Sequence, residues 1–330
     1  MSPNNQFKDF NEDSIIKFLQ QKFSSSTAKA LVGIGDDTAV IKTGKSYLLL
    51  TKDLLIENTH FIFKVHPPYL LGRKCLNVNL SDIAAMGGKP NYCLIGLGLS
   101  NKVDWAWLQE FFAGVESATR EFGLELVGGD LSRSSTVMIS VTIVGKSKYP
   151  VLRSGAKPGD LIYVSGHLGE AAWGLKLLKK GYSLGKNKEI DYFIHRFLDP
   201  SPNLKLGQQL VRQNFISAMI DLSDGLSTDL RRLCQVSHCG AELWVDQLPS
   251  SPLVRKFTSR PRDLTLHGGE DYHLLFTVPA SREAVFTRWQ KKNKYQLFCC
   301  GRIIEKNEIY LVWPTGRREV LRPRGFRHFA

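Results

Sequence analysis

Aspartates recur along this chain in short settings built mostly of Gly, Ser and Thr. The segments are Gly33–Asp37 (GIGDD), Thr51–Asp53 (TKD), Asn79–Asp82 (NLSD), Gly128–Asp130 (GGD) and Asp221–Asp224 (DLSD). Together they hold seven acidic residues, and Gly268–Asp271 (GGED) adds a sixth acidic site. Carboxylates in such settings do not read as solvated helix faces. They suit hard cations, and magnesium usually couples one or two carboxylates to water and to substrate phosphates. Phosphate chemistry with several metal ions is the expectation.

Each motif also has a plainer reading. Ala39–Ser46 fits a loose P-loop pattern with Ala in place of the first Gly. A P-loop needs a Gly-rich turn that leads into a helix. Here Val40 and Ile41 precede the turn and Tyr47–Leu50 follows as a strand, so a hairpin is expected. Gly33-Ile34-Gly35 lacks the third glycine of a dinucleotide fingerprint, because position 38 is Thr. Asp36 and Asp37 would also repel a pyrophosphate unless metals intervene. Asp221–Asp224 opens a helix after the apolar Ala218–Ile220. An N-cap accounts for Ser223 or Asp224 but leaves Asp221 unexplained. Asp229 falls inside that helix and is expected to be structural or exposed. Gly128-Gly129-Asp130 ends the strand-like Leu124–Val127 and would let backbone approach a nucleotide. His267–Tyr272 precedes the strand-like Leu274–Val278 with the same logic.

These motifs need a frame of helices and strands. Apolar spacing predicts helices over 12–23, 68–87 and 105–122, the last two ended by Gly87-Gly88 and Gly123. Strands are expected at 38–42 and 47–51, joined as a hairpin, and at 92–99 and 137–144. The breaker-rich run Leu152–Asp160 (LRSGAKPGD) marks a junction, which divides the chain into 1–148 and 149–330. The second half reads as strand 161–164, four helices between about 170 and 236, and strands near 241–246, 272–278, 297–304 and 309–313. The class is α/β (α+β) with two domains.

The chain has 330 residues, 43% hydrophobic and 23% charged, enough for substantial cores. No apolar run approaches the length of a membrane span, and the first residues are polar, so a cytoplasmic location is expected. The six cysteines are irregularly spaced and read as free thiols. Cys234, His238 and Cys239 lack the second ligand pair of a zinc site. The net charge is +13, and residues 281–330 carry 12 Lys and Arg against 4 Asp and Glu. A solvated basic surface is preferred over a nucleic-acid footprint, since Tyr310–Trp313 reads as a strand and not as a stacking platform.

The ordered set of GDD, D-x6-H-F, N-x-N-L-S-D-I-A-A-M-G-G, G-G-D, R-S-G-A-K-P-G-D, I-D-L-S-D-G-L and G-G-E-D-Y resembles the thiamine-monophosphate kinase family, within the aminoimidazole-ribonucleotide-synthase-like superfamily. The resemblance runs from about residue 30 to the end. It implies a fold in which the N-terminal sheets of two subunits pair in a homodimer, with ATP and substrate between the domains. It implies transfer of the ATP γ-phosphoryl group to thiamine monophosphate, giving thiamine diphosphate and ADP. On the matching positions, Asp37, Thr51, Asp53, Asp82, Asp130, Asp221 and Asp224 would hold several Mg²⁺ ions. Gly129, Asp130, Arg153 and Ser223 would contact ATP. His60, Glu270 and Phe326 would contact thiamine monophosphate. The family usually has Ser-Thr-Asp where this chain has Thr51-Lys52-Asp53. A selenophosphate synthetase would want a reactive cysteine near Gly33–Asp37, and the first cysteine is Cys75.

No catalytic base is assigned. The nucleophile is a phosphate oxygen, and a monoester with a second pKa of about 6 is largely ionised at neutral pH. The obstacle is repulsion between two polyanions, which positioning and charge neutralisation overcome.

Overall fold

A computed structural model describes residues 12–23 and 30–326. The chain runs α1 (Glu12–Phe23), β1 (Ala30–Val32), β2 (Ala39–Thr43), β3 (Ser46–Ile56), α2 (Pro68–Ala85), β4 (Lys89–Leu99), α3 (Trp105–Phe122), β5 (Glu125–Arg133) and β6 (Met138–Ser147). It continues through β7 (Leu161–Val164), α4 (Glu170–Lys179), α5 (Lys188–Leu198), α6 (Leu204–Arg212), β8 (Ala218–Leu222), α7 (Leu226–Val236) and β9 (Gly240–Trp244). The last elements are α8 (Pro252–Phe257), α9 (Pro261–His267), β10 (His273–Val278), α10 (Glu283–Asn293), β11 (Phe298–Ile304), β12 (Ile309–Val312) and β13 (Arg318–Val320).

The first sheet has the order β1-β2-β3-β6-β4-β5, and the second β13-β12-β9-β11-β7-β10-β8. β2 and β3 form the expected hairpin, with Thr43 opposite Ser46. Strand β6 alternates, so Ile139, Val141 and Ile143 are fully buried while their neighbours face the open side. That period-two pattern makes a half-buried strand. Strand β8 is buried at every position, as a strand covered on both faces must be.

Helix α2 joins the halves. It packs on β3, β4 and β6 of the first sheet, on β8 and β10 of the second, and on α3, α5 and α6. Thirteen of its residues are buried, among them Lys74, Asn77, Asn79 and Ser81. A helix surrounded on all sides has no solvent stripe, and its sequence shows little amphipathic contrast. Core residues Leu76 and Ile83 of α2 belong to one cluster with Met219, Leu274 and Phe276 of the second half.

Two differences from the sequence expectation have physical reasons. The Gly128-Gly129-Asp130 segment does not end a strand; β5 runs through it in parallel pairing with β4. A bulge at Val127 absorbs the irregularity, and a side chain at Gly129 would lie 1.8 Å from the Ile95 carbonyl oxygen. Helix α10 gave little periodic signal because Phe286 is its one buried residue. Of the two roles expected for Asp229, structural or exposed, the fold takes the first: it is fully buried and receives backbone N–H groups at the start of α7.

Helices α2 and α3 touch backbone to backbone at two glycines. A Cβ on Gly72 would lie 2.0 Å from the Phe111 carbonyl oxygen, and one on Gly114 would lie 1.9 Å from that of Tyr69. Gly72→Ala is expected to cost about 1–3 kcal/mol by forcing the helices apart. Chemical denaturation measures it, and an unchanged midpoint would contradict the close approach.

Candidate active site

Four separate parts of the chain deliver the acidic residues to one place. Thr51 and Asp53 lie on the helix-facing side of β3, and Asp82 lies near the end of α2. Thr51 Oγ1 donates to Asp82 Oδ2. The Asp53 N–H donates to Asn79 Oδ1 at 3.0 Å, which ties β3 to α2. Asp221 sits at the end of β8, where Ser81 Oγ of α2 donates to it at 2.7 Å. Asp36 and Asp37 come from the loop before β2 and meet Arg153 from the segment between the sheets. Arg153 Nη2 donates to Asp37 at 2.7 Å, and the Arg153 N–H reaches Asp36 at 3.1 Å.

Oxygens of Asp37, Asp82 and Asp221 lie within 4.8 Å of one another. Asp37 Oδ2 is buried with no hydrogen-bond partner among the described residues. Burial pushes Asp82 well above the ordinary carboxylate range, helped by Asp53, Asp221 and Asp37. Burial also raises Asp221, with Asp37 and Asp229 adding to it. Asp53 is pushed up to about 6 by burial and then by Glu270 and Asp224. Burial works against the Arg153 charge, but Asp37, Asp36 and Asp221 outweigh it and raise its value. One guanidinium therefore faces several buried carboxylates that repel one another. An orphan oxygen and converging acidic oxygens fit a divalent cation with oxygen ligands.

The start of α7 adds a second acidic group. Asp229 Oδ2 accepts the N–H groups of Asp224 and Gly225 at 3.1 and 3.0 Å, and Arg232 pairs with both Asp224 and Asp229. This holds the Ser223-Asp224 turn with its side chains toward the cavity. Sequence reasoning missed Arg232, Asn79 and Ser81 as supports and left Asp229 between a structural and an exposed role. Asn79 and Ser81 were visible within NLSD; Arg232 carried no signal.

The main cavity has a volume of about 780 Å³. Its walls include Asp37, Thr51, Asp53, Asp82, Arg153, Asp221, Ser223, Asp224, His60, Glu270 and Phe326. A neighbouring cavity of about 600 Å³ shares His60, Ser223, Asp224, Glu270 and Phe326, and has Phe61, Leu175, Phe197 and Leu264 in its walls. The His60 and Phe326 ring centroids are 6.3 Å apart. His60 Nδ1 accepts the Ile56 N–H at 3.0 Å. A polar, acidic chamber thus opens beside a more apolar one.

Gly129 and Asp130 do not line either cavity. They lie on edge strand β5, which is separated from β3 by β4 and β6, about 14 Å at the usual strand spacing. Lys52 faces the open side of the sheet, where its Nζ donates to Ser140 Oγ at 2.8 Å. Among the basic residues near the C-terminus, Arg302 pairs with Glu242 at 2.8 Å and Arg317 lies over the Trp313 ring at 4.9 Å.

Two family descriptions match the chain. AIR synthase related protein, N-terminal domain, covers residues 35–147, and AIR synthase related protein, C-terminal domain, covers residues 157–314. Thiamine-monophosphate kinase of Buchnera aphidicola is 35% identical over 97% of this chain and 99% of its own length. The chain belongs to the thiamine-monophosphate kinase family. The Escherichia coli thiamine-monophosphate kinase is also 35% identical, over 97% of this chain and 98% of that one. The solved structure of AaThiL complexed with AMPPCP and TMP matches with a TM-score of 0.87 at 32% identity, covering 99% of this chain and 100% of that one. The likeness to the family members spans both sheets and therefore includes every segment that supplies the acidic cluster.

The raised carboxylates fix a sign for pH dependence. Asp53 holds its proton more tightly in the folded chain than its ordinary 3.8, so this group lowers stability as pH rises from about 4 and does so fully above about 6. Asp82 and Asp221 shift in the same direction. Mg²⁺ is expected to raise the thermal midpoint at pH 8 and to raise it much less at pH 5. Asp82→Asn should raise the pH 8 midpoint without cation and shrink the Mg²⁺ response. Equal Mg²⁺ responses at the two pH values would contradict this reading of the cluster.

Proposed function

We propose that this chain is an ATP-dependent kinase that phosphorylates thiamine monophosphate to thiamine diphosphate. The observation that carries it is the convergence of Asp37, Asp82 and Asp221 beside a pocket walled by Glu270, His60 and Phe326. Membership of the family supports the same reading.

The acidic chamber takes the phosphates and the apolar chamber takes the thiamine moiety. Asp37, Thr51, Asp53, Asp82, Asp221 and Asp224 would hold magnesium, whose charge would screen the donor and acceptor phosphates from each other. Arg153 presents a planar fork suited to a phosphate oxygen pair. Its pairing with Asp37 and Asp36 fixes where that fork points. Ser223 lines both chambers and offers a hydroxyl at their junction. Glu270 supplies a negative charge for the cationic thiazolium, and the Phe326 and His60 rings bound the same chamber. No side chain is needed to take a proton from an acceptor that is already ionised, so direct transfer suffices.

The reading includes a homodimer. All nine residues of β5 are exposed, and Leu54, Tyr92 and Leu94 leave the same sheet with an apolar open side. A long exposed edge with apolar neighbours is normally covered. Gly129 and Asp130 lie there, so their contact with ATP requires a site completed across the pairing. The division into domains 1–148 and 149–330 and a cytoplasmic location belong to the same proposal. Among the described residues no helix is long and apolar enough to cross a membrane.

Purified protein with ATP, Mg²⁺ and thiamine monophosphate should yield thiamine diphosphate, none with thiamine as acceptor, and none after EDTA. No product from thiamine monophosphate would overturn the reading. Asp130→Ala should lower product formation about a hundredfold or more with little change in thermal midpoint. Light scattering should give twice the mass of one chain. Full activity in that variant would remove Asp130 from the site.

A further inference from the structure

Lys74 is 1% exposed, yet the site as derived so far gives it no task. Its Nζ pairs with Glu270 Oε2, donates to the Phe197 carbonyl oxygen at 2.9 Å, and stands 3.8 Å from the Phe197 ring centroid. Lysines are almost never fully buried unless paired, and a buried ion pair often stabilises a fold less than apolar residues would. Clasping the two halves does not require it. Arg73 and Asn77 of the same helix already hold Asp199, and Asn77 also donates to the Pro200 carbonyl.

The place of Lys74 on α2 is informative. Lys74, Val78 and Asp82 follow at intervals of four and all line the main cavity. Residues four apart share a helix face, and eight residues span about 12 Å. One rigid helix therefore carries the acidic centre near one end of this stripe and the Glu270 partner at the other. Glu270 itself sits at φ +71 on a short connection, a backbone state that L side chains rarely adopt. Its carboxylate needs an external support to keep one direction.

We propose that Lys74 is a positioning residue for the acceptor. It pins Oε2 of Glu270 so that the carboxylate meets the cationic part of thiamine monophosphate at a fixed distance from the Asp82 centre. The inference rests on the kinase reading above and adds the residue that sets acceptor binding.

Steady-state kinetics of the full chain test it, with Lys74→Met, Lys74→Arg and the double variant Lys74→Met/Glu270→Gln. Lys74→Met should raise KM for thiamine monophosphate about tenfold or more while kcat and KM for ATP change less than about threefold. Lys74→Arg should recover most of the loss. The double variant should be no worse than Glu270→Gln alone, because the two residues act as one unit. Lys74→Gln keeps a donor for the Phe197 carbonyl and removes the charge, and it serves if Lys74→Met does not fold. Unchanged KM for thiamine monophosphate, an equal fall in kcat, or additive losses in the double variant would overturn the inference. A wild-type chain that makes no thiamine diphosphate fails the kinase reading, and this role falls with it. An active chain with a normal Lys74→Met KM fails the Lys74 role alone.

Discussion

Several carboxylates must be held together in a place that water barely reaches, and most of the architecture serves that constraint. Asp37, Asp82 and Asp221 come from a loop, a helix and a strand end, and their oxygens converge within 4.8 Å. Left free, such groups would separate or take up protons. They stay because each is fixed through its own backbone element. Asp82 is on α2, whose residues are buried on every side. Asp221 ends a strand buried at every position. Asp37 is held by Arg153, whose main chain in turn engages Asp36. The repulsion is stored by rigid packing and becomes useful when positive charge arrives.

Helix α2 bears most of this load, which explains its unusual composition. A helix between two sheets would be expected to be apolar throughout. Instead it buries Asn77, Asn79 and Ser81, and each has a partner outside the helix. Asn79 accepts from the Asp53 backbone, Ser81 donates to Asp221, and Asn77 donates to Asp199 and Pro200. Buried polar groups are tolerable when satisfied, as these are apart from Asn77 Oδ1, which has no partner among the described residues. Here the partners are the neighbouring strand of one half and, in the other, the end of β8 and the turn after α5, so the same bonds set the register between the halves.

The aspartate-rich segments were legible because their chemistry is written in short, local strings. The hairpin, the long helices and the start of α7 were legible for the same reason: turn residues and apolar spacing are local signals. Four features were not. The path of β5 through Gly128-Gly129-Asp130 depends on pairing with β4, and local turn residues argued against it. Asp229 is an acid in a helix, and only the fold shows that backbone N–H groups and Arg232 close around it. Lys74 lies in an apolar helix pattern as one lysine among many; its burial and its partner 196 residues away are properties of the tertiary structure. The separation of Asp130 from the other acids is likewise a matter of strand order, β3-β6-β4-β5, which no single segment encodes.

The charge balance of the molecule also bears on selectivity. The chain as a whole is strongly basic, with a net charge of +13, while its central cavity is acidic. A basic exterior raises the local concentration of polyanions, and the effect falls with ionic strength. Inside, the carboxylates repel a bare nucleotide or phosphate ester. Cations must therefore enter with the phosphates or before them, and a phosphate-free acceptor brings nothing to share with the acidic centre. The neighbouring chamber, with Phe61, Leu175 and Phe197 in its walls, would on the proposed reading take the organic part of the acceptor instead. On the proposed reading, discrimination between thiamine and its monophosphate would follow from where the negative charge of the ligand can be neutralised, without a separate filter at the entrance.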